Sequence, residues 1–413
     1  MNNHKKMNVV VVGGGGAGIM AALIAAESGA AVTLLERMEK PGKKILVCGN
    51  GRCNITNMSQ DPARFHGAPA AFTDAILRAF TVQQTLAFFD SIGLPCVEEE
   101  MGRVYPTSGQ AATVLAALRY EMDRRNVRVM CGADAVRLVK KGAGFAVETK
   151  DGPTYEADRV IMAAGGKAGP QYGSIGTGLE MVRALGHKIN PVYPVLVMIN
   201  LDSPYLKEMD GVRFEGSASV ICQGKVMREE SGEIQITDYG ISGIPALDLS
   251  RAAGECVYFK REAKLEMRLL PRRTAPQIGE DVRHRLASRP DETLERALTG
   301  IVHMKLIPPL IKAAGFKNQH IPCRQAPEPQ ARALAALLHK WAFPITGTQD
   351  WTRAHVTAGG VDASEINPAT MESKRVPGLY LIGEIVDVDG DCGGYNLQWA
   401  WSSGALAGRA SAK

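Results

Sequence analysis

Val9, Val10, Val11 and Val12 follow one another without a polar break. Consecutive β-branched residues suit a parallel strand covered on both faces. Glycines then crowd positions 13–16 and 18, and residues 19–28 are rich in Ala, Leu and Ile, as a buried helix requires. A second apolar run over 31–35 ends on Glu36. Strand, glycine turn, helix, strand and acid make the opening unit of a doubly wound α/β fold. Gly13, Gly15 and Gly18 have the G-x-G-x-x-G spacing. The first permits a tight turn, the second lets backbone approach a pyrophosphate, and the third lets helix pack close to strand. The helix start adds N–H groups and a positive dipole end. Glu36, eighteen residues after Gly18, can accept both ribose hydroxyls of an adenosine. The context, more than the spacing alone, implies an adenine dinucleotide.

The pattern continues through a basic loop, Pro41-Gly42-Lys43-Lys44 running on to Gly49-Asn50-Gly51-Arg52-Cys53-Asn54. Lys43, Lys44 and Arg52 could neutralise a phosphate, and Gly49 and Gly51 allow close backbone approach; a solvated surface turn is the alternative. Residues 70–80, 81–91 and 109–125 read as helices, and 127–131, 133–139, 144–149 and 154–156 as a small antiparallel excursion. Another buried strand over 158–166 ends in glycines, which sets Ala164 and Gly165 at the carbonyl edge where open α/β sheets bind ligands. The glycines of 173–178 are spaced G-x-x-G-x-G with no apolar strand feeding them, so they predict the cap of a helix over 179–185. No second dinucleotide unit for a nicotinamide cofactor is visible.

From residue 191 the pattern changes to short strands at 192–201, 217–223, 233–236 and 255–259, with Gly and Pro between them. Helices follow over 276–288, 292–314 and 327–341, the second broken or kinked at Pro308-Pro309. The apolar run of 378–382 leads into Gly383 and Glu384, then Asp387 and Asp389. Gly393-Gly394 precede a closing helix from Asn396 onward, a second N-terminus able to hold an anionic group.

Composition narrows the partners. In 413 residues, 48 Lys/Arg against 43 Asp/Glu leave +5, without a block of like charge. Residues 191–344 hold 21 basic against 18 acidic side chains, too balanced for a nucleic-acid platform. No run approaches a membrane span, and the polar lead of 1–6 carries no apolar signal region, so a cytoplasmic protein is expected. Eight scattered cysteines without a C-x-x-C pair fit reduced thiols rather than a disulfide framework, and no metal site is expected.

Five stretches together resemble the BaiN/YhiN-like flavoproteins, the aminoacetone oxidase family of FAD-binding enzymes. They are 13–18, 41–54, Thr237-Asp238-Tyr239-Gly240-Ile241-Ser242-Gly243, His355-Val356-Thr357-Ala358-Gly359-Gly360-Val361, and 370–396. The resemblance covers almost the whole chain. It implies a Rossmann-like FAD domain of the GR2 type built from 1–190 and 345–413, with a β-rich insert over 191–270 and a helical insert over 271–344 covering the flavin. It also implies that Gly13, Gly15, Gly16, Ala17 and Gly18 lie at the pyrophosphate and Glu36 with Arg37 at the adenosine. Lys43, Lys44, Gly51, Arg52, Cys53 and Asn54 would lie near phosphates and flavin, with Ala164 and Gly165. Gly383, Glu384 and Asp387 would serve the ribityl chain, and Gly393, Gly394, Tyr395 and Asn396 would face the flavin pyrimidine. Some members look like NAD(P)H-linked reductases of carbon–carbon double bonds. One position departs from the family: a small hydroxyl residue is usual where Cys48 stands.

The expectation is an FAD-dependent oxidoreductase, NAD(P)H-linked, passing hydride through flavin to a small organic substrate. The sequence does not fix the oligomeric state. Two alternatives stay open: thiol–disulfide exchange through Cys48 and Cys53, whose C-x4-C spacing matches flavin disulfide reductases, and a flavin-binding module without catalysis. His355 could protonate a substrate, and Tyr239 could reach over the flavin, although a packed histidine and a loop aromatic explain both as well. Trp399 and Trp401 read as core, and His303 and His339 as ordinary helix residues.

Overall fold

A computed structural model describes residues 6–413. The chain divides into two compact units, residues 6–193 with His355–Lys413, and Pro194–Ala354. In the first, five strands form one parallel sheet in the order Leu379–Leu381, Arg159–Met162, Asn8–Val12, Ala31–Glu36, Arg128–Cys131. The valine run takes the centre, with Val9 opposite both Arg159 and Val32. This is a doubly wound Rossmann-type sheet, and the dinucleotide turn leaves its middle strand.

The helix Gly16–Glu27 is buried all along Ala17–Ala25, which explains its uniformly apolar sequence. The closing helix Tyr395–Ser411 lies against it through two glycines one turn apart. A Cβ on Gly404 would stand 2.6 Å from the Ala17 carbonyl oxygen, and one on Gly408 the same distance from that of Ala21. Backbone therefore meets backbone, and the start of the first helix is fixed by the last. Gly404→Val should lower stability by about 3 kcal/mol, the scale of an overpacked core. Thermal melting of the apo-protein is the check, together with lower FAD retention because Ala17 belongs to the glycine turn.

The second unit is a closed six-stranded barrel, in the order Ile199–Leu201, Gly240–Ser242, Lys225–Thr237, Arg213–Cys222, Ala263–Arg268, Trp341–Thr348. Ile199, Val220, Ile234, Ile236, Leu265, Met267 and Phe343 fill its core. The last strand runs across residue 344 and returns the chain to the barrel after the helical segment.

Several elements differ from the sequence expectation. Residues 255–259 are not a strand but the end of the helix Ile244–Tyr258, which starts with Pro245 in its first turn. Its buried positions, Pro245, Ala246, Leu249, Ala253 and Cys256, keep a helical spacing that outweighs the β-prone Val257-Tyr258-Phe259. The 292–314 helix is three pieces, Leu294–Leu298, Met304–Leu306 and Ile307–Ala313. The break falls at Gly300, with φ +86°, while Pro308 and Pro309 sit harmlessly in a first turn. His303 is no ordinary helix residue: its Nδ1 accepts from the Lys305 N–H, 3.2 Å away, as a cap. Trp341 opens a barrel strand instead of ending a helix, and 192–201 is two strands, Ile189–Val195 and Ile199–Leu201.

Candidate functional site

The glycine turn shows three different duties. Gly13 has φ +105°, its N–H donates to the Leu35 carbonyl at 2.8 Å, and a Cβ there would lie 2.4 Å from the Ala163 oxygen. Gly18 packs closer still, 1.9 Å from Cβ to the Gly13 oxygen. Gly15 alone faces open space, with nothing within 4 Å of a Cβ. It is also the N-cap of a helix with no side-chain cap and no acid in its first turn, so the first N–H groups have no intrahelical acceptor. A Cβ on Gly16 would press on Trp401 at 3.0 Å, so that glycine serves packing.

Glu36 is buried and its two carboxylate oxygens divide the work. One accepts from the Gly14 N–H at 2.9 Å, the other from the Met38 N–H at 2.8 Å. Burial raises its pKa; the Met38 and Gly14 hydrogen bonds oppose the rise. Each oxygen keeps a further lone pair for a hydroxyl. Beside it Arg37 binds Asp134 through Nη2 at 3.1 Å, while the buried Nη1 has no partner among the described residues. Gly165, at φ +72°, and Ala164 follow the strand Arg159–Met162 on the same edge of the sheet.

The basic loop is a short helix, Lys43–Val47, rather than an open turn. Lys44 points inward: Nζ lies 2.7 Å from Glu384 Oε2 and 3.1 Å from the Ala168 carbonyl. Glu384 Oε1 accepts from both the N–H and the hydroxyl of Thr357. Two residues 340 positions apart thus form one ion pair beside Gly383, whose carbonyl accepts from Trp399 Nε1 at 3.0 Å. Lys43 stands only 3.9 Å from Glu39. Arg52 has partners within the protein. Its guanidinium stacks on Tyr105, 4.1 Å from the ring centroid, and forks onto Glu99, so its charge is already matched inside the protein.

Gly51 carries φ +80° beside this segment. Residues 52–57 and the turn before the closing helix lie side by side. A Cβ on Gly394 would fall 2.5 Å from the Thr56 backbone and 2.9 Å from Asn54 Oδ1, and Asn57 Nδ2 donates to the Gly393 carbonyl at 2.9 Å. Asn54 Oδ1 is buried without a partner among the described residues. Asn396 clips the turn by exchanging two hydrogen bonds with the Gly390 backbone, at 2.8 and 2.7 Å. Gly394, at φ +101°, caps the closing helix with no side chain on its N–H groups. Tyr395 is buried edge-on against Phe65. Asp387 accepts from Asn190 Nδ2 at 2.8 Å.

The catalytic candidates fare differently. Cys48 and Cys53 are free, and burial pushes the Cys48 thiol up to about 11 and Cys53 well above its ordinary range. A flavin-linked dithiol needs a thiol whose pKa is lowered, so the redox reading finds no support in this environment. Cys48 instead donates its S–H to the Lys44 carbonyl at 3.3 Å, as a hydroxyl would. Cys48→Ser should therefore leave FAD content and turnover unchanged, because a hydroxyl can donate to the same Lys44 carbonyl. Flavin absorbance and steady-state rates check it. His355 keeps an accessible surface, but crowding and then the Lys44 charge lower its pKa. Tyr239 sits in a turn of the barrel, its carbonyl accepting from the Leu201 N–H at 2.9 Å. Gly176, at φ +87°, caps the helix Thr177–Ala184, and a 3-10 turn, not a strand, precedes it. No group of metal ligands occurs among the described residues, and no helix there is long and apolar enough to cross a membrane.

Residues 7–410 match the family described as the HI0933-like protein Rossmann domain. The chain belongs to that family. Among similar proteins, a 3-dehydro-bile acid delta(4,6)-reductase of Clostridium scindens is 40% identical over 94% of each chain. A ribosomal RNA dihydrouridine synthase of Escherichia coli is 29% identical over 92% of this chain and 91% of its own. A solved 3-ketosteroid delta1-dehydrogenase from Sterolibacterium denitrificans, in complex with 1,4-androstadiene-3,17-dione, spans 97% of this chain and 98% of its own. At 14% identity and a TM-score of 0.54, that likeness shows the shared fold.

This HI0933-like protein is an FAD-dependent oxidoreductase. Its residues fit the cofactor. The open face of Gly15 and the uncapped first helix suit a pyrophosphate, and Arg37 Nη1 and Asn54 Oδ1 are buried polar atoms awaiting partners. The sequence reading missed Thr357, which orders Glu384, and the pair His66 and Asp391. Thr357 and Asp391 lie inside stretches that the resemblance picks out, but their partnerships with Glu384 and His66 are made only by the fold.

Proposed function

We propose that this HI0933-like enzyme is an NAD(P)H-linked reductase that saturates a carbon–carbon double bond conjugated to a carbonyl in a small, largely apolar molecule. The similarity to the bile-acid delta(4,6)-reductase over nearly the full length of both chains carries the reading. The dihydrouridine synthase likeness supports the same bond chemistry, since uridine's reduced bond also sits next to a carbonyl. Bound FAD supplies the hydride. The chain's own part would be electrostatic: the uncapped N–H groups at Gly394 would offer a positive dipole end to a flavin ring held beside them. The pyrophosphate would rest at Gly15 and the adenosine at Glu36. NAD(P)H would bind transiently against the flavin.

The test is anaerobic. NADH or NADPH is added to the holoprotein, loss of the oxidised flavin band is followed, and the reduced protein is offered a 3-oxo-Δ4 bile acid, its saturated analogue or a uridine-containing ribosomal RNA transcript. Bleaching by one nicotinamide and reoxidation by the enone alone is expected. Failure of both nicotinamides removes the proposed donor; reoxidation by RNA alone replaces the substrate class.

A further inference from the structure

His66 and Asp391 form a side-chain pair that the cofactor site does not use. We propose that His66, oriented by Asp391, delivers the proton that accompanies hydride addition, an assignment that rests on the reductase reading above. His66 is the middle residue of the strand Phe65–Gly67, antiparallel to Val388–Gly390 and opposite Asp389. Strand alternation sends Phe65 inward onto Tyr395, ring centroids 5.6 Å apart, and His66 to the other face. There its Nε2 lies 2.8 Å from Asp391 Oδ1, with the histidine side chain 22% and the carboxylate 3% exposed.

Asp391 belongs to the turn that ends at Gly393-Gly394, so the imidazole is held beside the segment proposed to face the flavin pyrimidine. Its N–H donates to the Arg64 carbonyl at 2.9 Å, and Oδ2 accepts from Arg64 Nη1 at 3.2 Å. Arg64 already offsets the buried negative charge, so charge balance does not require the histidine. A half-buried histidine fixed by a carboxylate is an oriented, titratable donor. The electron pair arrives as hydride at the β-carbon, and the imidazolium gives its proton to the α-carbon. The π bond is consumed, two C–H bonds form, and solvent reprotonates the ring.

Asp391 faces the ring directly, Arg64 binds the same carboxylate, and Asp389 lies opposite His66 across the strand pair.

Full-length holoprotein is reduced with dithionite under anaerobic conditions and mixed with a 3-oxo-Δ4 bile acid at varied pH. His66→Gln should slow flavin reoxidation about a hundredfold or more, as loss of a general acid does, and erase its fall at alkaline pH. Asp391→Asn, a positioning change, should slow it about tenfold by freeing the imidazole from its fixed orientation, and Asp391→Glu, which keeps the carboxylate, should recover part of that rate. Independently of turnover, the saturated 3-oxo analogue should protect His66 of the unmodified sequence from diethyl pyrocarbonate, read by mass spectrometry. If the unaltered protein is reoxidised but His66→Gln matches it in rate and pH profile, the assignment is overturned. The same holds if the ligand leaves His66 modification unchanged. A wild-type protein that the enone never reoxidises defeats the reductase reading itself, and the assignment falls with it.

Discussion

Gly15→Ala is expected to leave the apo-protein folded while weakening its hold on FAD. The backbone at Gly15 has φ −77° and ψ −176°, a conformation alanine adopts without strain. The added methyl meets no protein atom within 4 Å. Any loss must therefore come from what occupies that space, and a pyrophosphate against the first helix is the proposed occupant. Displacing it from the N–H groups should weaken FAD by about 2 kcal/mol, roughly thirtyfold. Gly18→Ala is the contrasting variant. Its methyl would stand 1.9 Å from the Gly13 oxygen, so helix and strand must separate, costing about 3 kcal/mol of stability before any ligand is added. Thermal melting of both apo-proteins, with FAD titration of each, separates the two effects. If Gly15→Ala binds FAD like the parent chain, the pyrophosphate does not lie there.

What could be read from sequence was what local physics determines. Four adjacent valines, a glycine turn and an acid on the next strand each state their own requirement within about thirty residues, so the central βαβ unit was legible. The Lys225–Thr237 strand was seen only at its end, because Lys225–Glu230 is too polar to look like a strand until the neighbouring strands of a closed barrel pair with it. Val257-Tyr258-Phe259 looked β-prone, and tertiary packing of the helix overrode that propensity. In the site, the pairing of Arg52 with Glu99 and its stacking on Tyr105 could not be read from the basic loop alone. Partners such as Lys44 with Glu384, Thr56 with Gln398, and His66 with Asp391 are joined only by the fold. Composition carries no trace of them.

Glu36 should make FAD binding depend on pH with a definite sign. In the chain without ligand its folded-state pKa is raised, first by burial, with the Met38 and Gly14 N–H donors opposing. Ribose hydroxyls would add donors that prefer the carboxylate, so binding would pull that pKa down and release a proton. FAD affinity is then highest above the raised apo value. It falls as pH drops through that value, by up to about tenfold per pH unit, until the bound-state pKa is reached. Glu36→Gln should lose this dependence and bind poorly at every pH. An amide has one acceptor oxygen, so either the Gly14 or the Met38 N–H would confront an NH2 group. The buried mismatch should cost about 2 kcal/mol and loosen the glycine turn itself. Fluorescence titration of FAD from neutral to acid pH, with the proton count taken from calorimetry in two buffers, measures the linkage. An unaltered protein whose affinity stays level on acidification would place the adenosine away from this carboxylate.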